Sequence, residues 1–268
     1  MGKSQFIGLT NYIRAFSGED KWFWKSIQVT AYYSFLYVPV SLAFSFIIAL
    51  LLNQKVWGMR VFRTVYYLPS LVSGVALSTL WLYIFNYNFG LLNSLLRILR
   101  LEPQKWLLDA NWVVPSFVFM GLWGLGGGMV IFLAGLQDVP PELYEAASID
   151  GAGAWKKFTH ITIPFMTPMI FFNLVMGIIG SFQIFTQAFV MTKGGPNGAS
   201  MFYIVNLYGY AFERFEMGYA SALAWILFVI LLVLTSLVFR SSSLWVFYEN
   251  EVRTKQKTRE RGARVVRL

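Results

Sequence analysis

The chain of 268 residues is 57% hydrophobic and 18% aromatic, yet only 13% of it is charged, about half the charged share of a soluble domain. It holds 22 Lys and Arg against 13 Asp and Glu, a formal charge of +9, with no cysteine and one histidine, His160. A disulfide framework, a thiolate site and a zinc or triad site are therefore excluded, as are a disordered chain and a soluble enzyme. The apolar runs are of membrane length, so the basic balance points to a bilayer rather than to nucleic acid.

Residues 1–27 are a polar lead-in without an apolar signal sequence. Five windows then follow, residues 28–52, 64–86, 112–136, 164–192 and 219–239, each free of Asp, Glu, Lys and Arg. Each is long enough to cross about 30 Å of hydrocarbon as a helix. Every charged residue of the chain lies outside these windows, which is the strongest physical signal it carries. Lipid cannot satisfy backbone polar groups, so helices are expected. The fold predicted is an all-α polytopic membrane bundle within one domain, 1–268, with the bundle at 28–240 and a basic tail at 241–268.

Orientation follows from Lys and Arg between the spans. Segments 53–63, 137–163 and 240–268 hold 13 of them, and segments 1–27, 87–111 and 193–218 hold 9. The excess places the C-terminus in the cytoplasm and, with five spans, the N-terminus outside. The tail from Arg253 onwards is a like-charge block suited to anionic headgroups. Trp22, Trp24, Tyr83 and Trp106 near span ends fit an interfacial aromatic belt.

Segment 137–163 is the one connection that carries a message. Pro140 and Pro141 start a short helix, and Glu142 and Glu145 suit its positive N-terminal end. Leu143, Ala146, Ala147 and Ile149 give it a small apolar face. Gly151 and Gly153 stop it, and Trp155, Phe158 and Ile161 open a second amphipathic stretch. Small residues flanked by carboxylates form a knob fit for another protein's groove. His160 reads as a packing or headgroup contact.

These residues resemble a known family. Glu145-Ala146-Ala147, Gly151, Ile161 and Ile163-Pro164 match the EAA loop, E-A-A-x3-G-x9-I-x-L-P, of permease subunits of binding-protein-dependent ABC importers, with Ile163 in place of leucine. Further stretches are similar to the first, maltose-permease-F-like permease of the carbohydrate branch. They are Phe6 through Tyr12 (F-x-G-L-x-N-Y), Arg60 through Pro69, Thr192 through Pro196 (T-x-G-G-P) and Met217 through Ala222 (M-G-Y-A-S-A). The likeness extends over residues 6 to 240. It implies a six-span core, of which the first span would be missing here. It also implies a second permease subunit as heterodimer partner, two ATP-binding subunits, an extracytoplasmic solute-binding protein, a bacterial or archaeal inner membrane, and no cofactor held by this chain. ATPase coupling would fall to Glu145, Ala146, Ala147, Asp150, Gly151 and Gly153. Glu145 could take a charge-assisted hydrogen bond from the partner, and Asp150 and Gly151 would set the turn.

A substrate path must run among the spans, where polar groups are costly and face the interior. Residues 164–192 hold Ser181, Gln183 and, four residues on, Gln187, interleaved with Phe182 and Phe185; amides beside aromatic faces suit sugars. In residues 112–136, Gly124 and Gly127 are among five glycines around Trp123, and they serve either close helix approach or room for a ligand. The resemblance places the family's sugar contacts on these two spans, best at Gly124, Ser181 and Gln183. Pore contact and interhelical hydrogen bonding stand level for Gln183.

The chain has no phosphate-binding G-x-x-x-x-G-K-[ST], so ATP would be handled by another subunit. The expected function is thus the permease of an ATP-driven importer for a sugar or oligosaccharide. The alternatives are a polyol or glycerol-phosphate cargo, an ion-coupled carrier, which lacks its intramembrane ionisable group, and a membrane enzyme, which lacks its His/Asp/Glu cluster.

Overall fold

The computed structural model describes residues 6–54 and 56–247, so the basic tail expected at 241–268 lies outside the described residues from 248 onward, and its first residues continue the last helix to Trp245. The regular structure of the described chain is all helical, with no strand. Its helices are α1 (Thr10–Ser17), α2 (Phe23–Leu52), α3 (Met59–Tyr67), α4 (Gly74–Ile84), α5 (Leu91–Ile98), α6 (Val113–Leu122), α7 (Gly126–Gln137) and α8 (Pro141–Ile149). They continue as α9 (Ala154–Lys157), α10 (Ile163–Phe182), α11 (Thr186–Met191), α12 (Tyr203–Tyr208) and α13 (Met217–Trp245). A 3₁₀ turn, Leu68–Leu71, follows α3, and π turns follow α9 (Phe158–Thr162) and α12 (Gly209–Glu213).

Three of the five expected spans are long apolar runs: α2, the stretch Ala154–Met191, and α13. The other two exist only as bent pairs, α3 with α4 at 96° and α6 with α7 at 47°, so the five-span count holds with each pair taken as one span. The windows 64–86 and 112–136 are therefore not straight helices. At the first break, Pro69 opens the 3₁₀ turn, Val72 is extended, and Ser73 caps α4 by accepting from the Ala76 N–H at 3.3 Å. At the second, Gly126 lies against the first: a Cβ there would sit 2.9 Å from the Tyr67 Cα. The apolar windows hid both breaks because proline, serine and glycine are apolar or small enough to leave a charge-free run intact.

The core is organised around α2. Ser26, Thr30, Ser34, Val38, Ser41, Ser45, Ala49 and Leu52 recur every three or four residues, and all are buried. Their side contributes to three apolar clusters. One joins Tyr33 to Trp81, Phe117 and Phe202; one joins Phe23 to Tyr203, Tyr219 and Leu223; one joins Ala49 to Met129, Phe132 and Met166. Small residues let the neighbouring backbones approach α2 closely, as helix association in lipid requires. Two hydroxyls of this seam also bond across: Thr30 Oγ1 accepts from the Tyr203 N–H at 2.9 Å, and Ser34 Oγ lies 2.7 Å from Ser181 Oγ of α10.

The crossing at Gly126 generates a prediction. In Gly126→Ala the new Cβ meets backbone that cannot swing away, and stability should fall by about 1–3 kcal/mol. A Cβ at Gly127 meets nothing within 4 Å, so Gly127→Ala should be neutral or slightly stabilising. Thermal unfolding of the two purified variants checks the contrast; equal midpoints would refute it.

Candidate functional site

Where the helix breaks converge lies a cavity of about 530 Å³. Its walls come from Tyr33 and Tyr37 of α2, Pro69, Ser70 and Gly74 at the α3–α4 break, Gly121 and Gly124 at the α6–α7 break, and Ser181, Gln183 and Gln187 at the end of α10 and on α11. The α10–α11 break arises at residues 183–185, where Gln183 leaves helical geometry (φ −101, ψ 14) and Phe185 follows at φ −133, ψ −65. Helices broken at membrane depth present free backbone groups and are tolerated where they line a cavity. None of the described lining residues is charged.

Four of the six residues expected along a substrate path, Gly124, Ser181, Gln183 and Gln187, line this cavity; Trp123 and Gly127 do not. Trp123 caps α6 and faces a separate apolar space of about 200 Å³ with Ile48, Tyr66 and Gly126. Gly127 lies on the open side of α7. Gln183 and Gln187 reach the same cavity although the break removes the helical relation assumed between them, because the chain turns about the break rather than running past it. Ser181 is buried and its hydroxyl donates to the Ile178 carbonyl at 2.9 Å beside Ser34, so it ties α10 to α2 at the cavity wall. Neither Gln183 nor Gln187 has a side-chain hydrogen bond among the described residues.

The glycines divide between the two roles left open by the sequence. A Cβ at Gly121 would lie 2.5 Å from the Tyr37 ring, and one at Gly128 3.2 Å from Asn173 Oδ1 and Ser45 Oγ; these are close-approach positions. At Gly124 the nearest atom is 3.7 Å away, and at Gly180 nothing lies within 4 Å, so these leave open space. Sequence reasoning missed Tyr33 and Tyr37, whose rings stack at 5.2 Å and 7°. The signal was there, as two tyrosines one helical turn apart in a charge-free span.

At one end of the bundle α8 and α9 form the helix, glycine break and helix read from the sequence. Gly151, at φ +75, closes α8 as a Schellman cap: the Ala152 N–H donates to the Ala147 carbonyl at 2.8 Å and the Gly151 N–H to the Ser148 carbonyl at 3.1 Å. Asp150 is the C-cap residue and Gly153 the N-cap of α9. No residue of α8 is buried, so the apolar face assigned to Leu143, Ala146, Ala147 and Ile149 is uncovered, with Glu145 exposed beside it. The second stretch is not a separate element, since α9 runs through the π turn into α10. Tyr144 Oη to Thr162 Oγ1 at 2.9 Å, Lys157 Nζ donating to Ser148 Oγ at 2.7 Å, and Phe158 stacked on Phe46 at 6.3 Å fasten the loop to the bundle. His160 is exposed, with Nδ1 near Thr159 Oγ1.

The opposite end holds a polar network that the sequence did not reveal. The buried Asp20 carboxylate accepts from the Trp22 N–H at 2.9 Å, the Tyr219 hydroxyl at 3.0 Å and the Asn206 amide at 3.3 Å. Arg14 pairs with Glu216 and lies 4.4 Å over the Tyr219 ring. The hydrogen bond to Glu216 raises the Arg14 pKa, and burial, with Asp20 adding, raises that of Tyr210. This network ties α1 and the start of α2 to α12 and α13. Asp20 is deeply buried and the ion pair half exposed, so Asp20→Asn should cost about 1–3 kcal/mol through mispaired donors and Glu216→Gln about 0–1 kcal/mol. Thermal unfolding of the two variants tests the order; a larger loss for Glu216→Gln would reverse it.

A polytopic bundle of broken helices around a polar cavity, with no charge among its described lining residues, is the architecture of a membrane permease. Residues 41–243 match the family described as binding-protein-dependent transport system inner membrane component, and the chain belongs to that family. It is 40% identical over 251 residues, 92% of this chain and 81% of the relative, to the probable ABC transporter permease protein YesP of Bacillus subtilis (strain 168). It is 33% identical to the trehalose/maltose transport system permease protein MalF of Thermococcus litoralis, over 86% of this chain and 77% of that one. Among solved structures, a chain of a bacterial ABC transporter involved in the import of the acidic polysaccharide alginate has the same fold, with a TM-score of 0.81, 23% identity, and coverage of 90% of this chain and 85% of that one.

Proposed function

We propose that this chain is one of two transmembrane subunits of an ATP-driven importer, and that its central cavity passes a neutral sugar or oligosaccharide. The observation that carries the reading is the chemistry of the cavity: two free amides, stacked tyrosine rings and open glycines, with no charge among the described lining residues. A sugar offers hydroxyls to Gln183 and Gln187 and a C–H face to Tyr37. The relatives support this class of cargo, being named for trehalose/maltose, multiple sugars and arabinooligosaccharides. Family membership supports the permease reading over the ion-coupled carrier and the membrane enzyme. An anionic cargo such as a glycerol phosphoester would find no cation among the described residues of the cavity wall.

Coupling is assigned to α8 with its glycine cap. ATP would be hydrolysed by two partner subunits docked on the uncovered face around Glu145, Ala146 and Ala147, with Asp150, Gly151 and Gly153 fixing the angle at which α8 stands. From Ala154 to Phe182 the helix is continuous and ends at the cavity wall beside Gln183. A displacement of α8 is therefore delivered about 40 Å away, at 1.5 Å per residue, to the α10–α11 break. A cavity open alternately to either face follows from two positions of this lever. The α8 end faces the cytoplasm in this reading, and a solute-binding protein docks at the other end; one solved neighbour is a complex with a pentasaccharide-bound periplasmic protein.

Uptake of labelled oligosaccharide by vesicles containing the assembled transporter tests both halves. Gln183→Ala should raise the KM about two- to tenfold, the worth of one hydrogen bond, while the ATPase subunits still co-purify. Glu145→Ala with Gly151→Trp should abolish uptake and release those subunits. If Gln183→Ala impairs only assembly, the residue is interhelical glue; if the α8 variant transports normally, the coupling assignment fails.

A further inference from the structure

Two short helices at the end of the bundle opposite α8 are turned the wrong way for water. In α5, Asn93 is 0% exposed: its Nδ2 donates to the Tyr87 and Gln104 carbonyls, each at 3.0 Å, and its Oδ1 accepts from the Gln104 N–H at 3.0 Å and Trp106 Nε1 at 2.9 Å. Arg97 is exposed, but its guanidinium folds back on the preceding loop, donating to the Asn88 carbonyl at 2.7 Å and the Tyr87 carbonyl at 3.2 Å. With Asn93 fastened inward, the helix presents Leu91, Leu95 and Ile98, at i, i+4 and i+7, which are 65, 52 and 77% exposed. The same inversion recurs in α1: Arg14 pairs with Glu216, Ala15 is buried, and Leu9, Ile13 and Phe16 are exposed. A surface helix in water has the reverse arrangement.

We propose that α1 and α5 lie in the headgroup–acyl boundary of one bilayer leaflet, with Ile13, Phe16, Leu95 and Ile98 immersed in lipid, as a collar around this end of the permease. Both helices adjoin spans directly, α1 before α2 and α5 between α4 and α6. Each apolar stripe runs on into the outer face of its span through an aromatic pair: Phe16 meets Trp24 of α2 at 5.9 Å, and Phe89 meets Tyr83 of α4 at 5.1 Å. Trp24 and Tyr83 are themselves exposed, so the surface is continuous with the one the spans turn to hydrocarbon. The exposed charges bordering the two helices are mostly cations, Lys21, Lys25, Arg100 and Lys105 against Glu19 and Glu102, which suits phosphate headgroups. This favours lipid over a water-soluble protein partner, whose footprint would stop short of the membrane-spanning faces.

The chain's lack of cysteine makes the test direct. Nitroxides are placed at Leu95→Cys and Ile13→Cys in the full chain, with Glu102→Cys as the aqueous reference. Each variant is assembled with cysteine-free partner subunits and reconstituted in lipid vesicles. Collision rates with oxygen and with a water-soluble nickel complex are then read by electron spin resonance. The first two labels should collide preferentially with oxygen, at a depth of about 5–10 Å below the headgroup surface, and Glu102→Cys preferentially with nickel. Nickel collisions at Leu95→Cys equal to those at Glu102→Cys would overturn the proposal, as would low rates with both reagents, the signature of a protein partner. If a variant does not assemble, Ile98→Cys and Phe16→Cys read the same two faces.

Discussion

Everything in this molecule depends on how closely other helices can approach α2. In water the apolar faces would be driven together by solvent, but in a bilayer lipid is as apolar as leucine and that drive is absent. What remains is contact area and the occasional hydrogen bond. Ser26, Ser34, Ser41, Ser45 and Ala49 supply the first by being small, and Thr30 and Ser34 supply the second through Tyr203 and Ser181. Because α2 contributes to all three apolar clusters, a bulky residue in this seam would be felt by every span at once. The seam fixes α6, α7 and α10 around one axis, and the cavity lies beside it.

Close approach alone would give a sealed bundle. The cavity exists because three chain segments break at the same level. Glycine serves both purposes at adjacent positions: Gly121 yields to the Tyr37 ring and Gly126 to the 3₁₀ turn, while Gly124 and Gly180 leave space. A polar space is thereby built among five apolar windows that contain no charge. The amides of Gln183 and Gln187, left without partners among the described side chains, then face a volume large enough for a sugar ring.

The span windows were legible because charge is expensive in hydrocarbon and is strictly segregated along the chain. The glycine break after α8 was legible for a different reason, since a proline start and a Gly C-cap are local signals. The bends at 69–74 and 123–125 were not. Hydropathy sums over a window and is blind to direction, and the residues that turn the chain cost it nothing on that scale. Four of the six proposed path residues share the cavity, but Tyr33 and Tyr37 escaped because attention to polar atoms favours amides over ring faces. Trp123 was drawn in by its glycine neighbours, whereas the break at its own position turns it to Trp81 and the smaller apolar space. The Asp20 network could not be read at all, for its bonded members are up to 202 residues apart in sequence.

The two ends of the bundle are fastened by different kinds of force, and the difference bears on which end can move. Around Asp20 a buried carboxylate with three donors, an ion pair and two cation–π contacts hold α1, α2, α12 and α13 together. Such a network resists partial opening, because each donor released inside a low-dielectric space loses its partner at once. At α8 the fastenings are few: one hydroxyl pair, one lysine to a serine, and a single ring stack on α2. Each can break alone, and Lys157 and Ser148, once freed, rehydrate because their bond is exposed. If force is applied at α8, the weak end yields and the Asp20 end holds. In the coupling proposed above, the continuous helix from Ala154 to Phe182 would carry that movement to the segment already broken, Gln183 at the cavity wall.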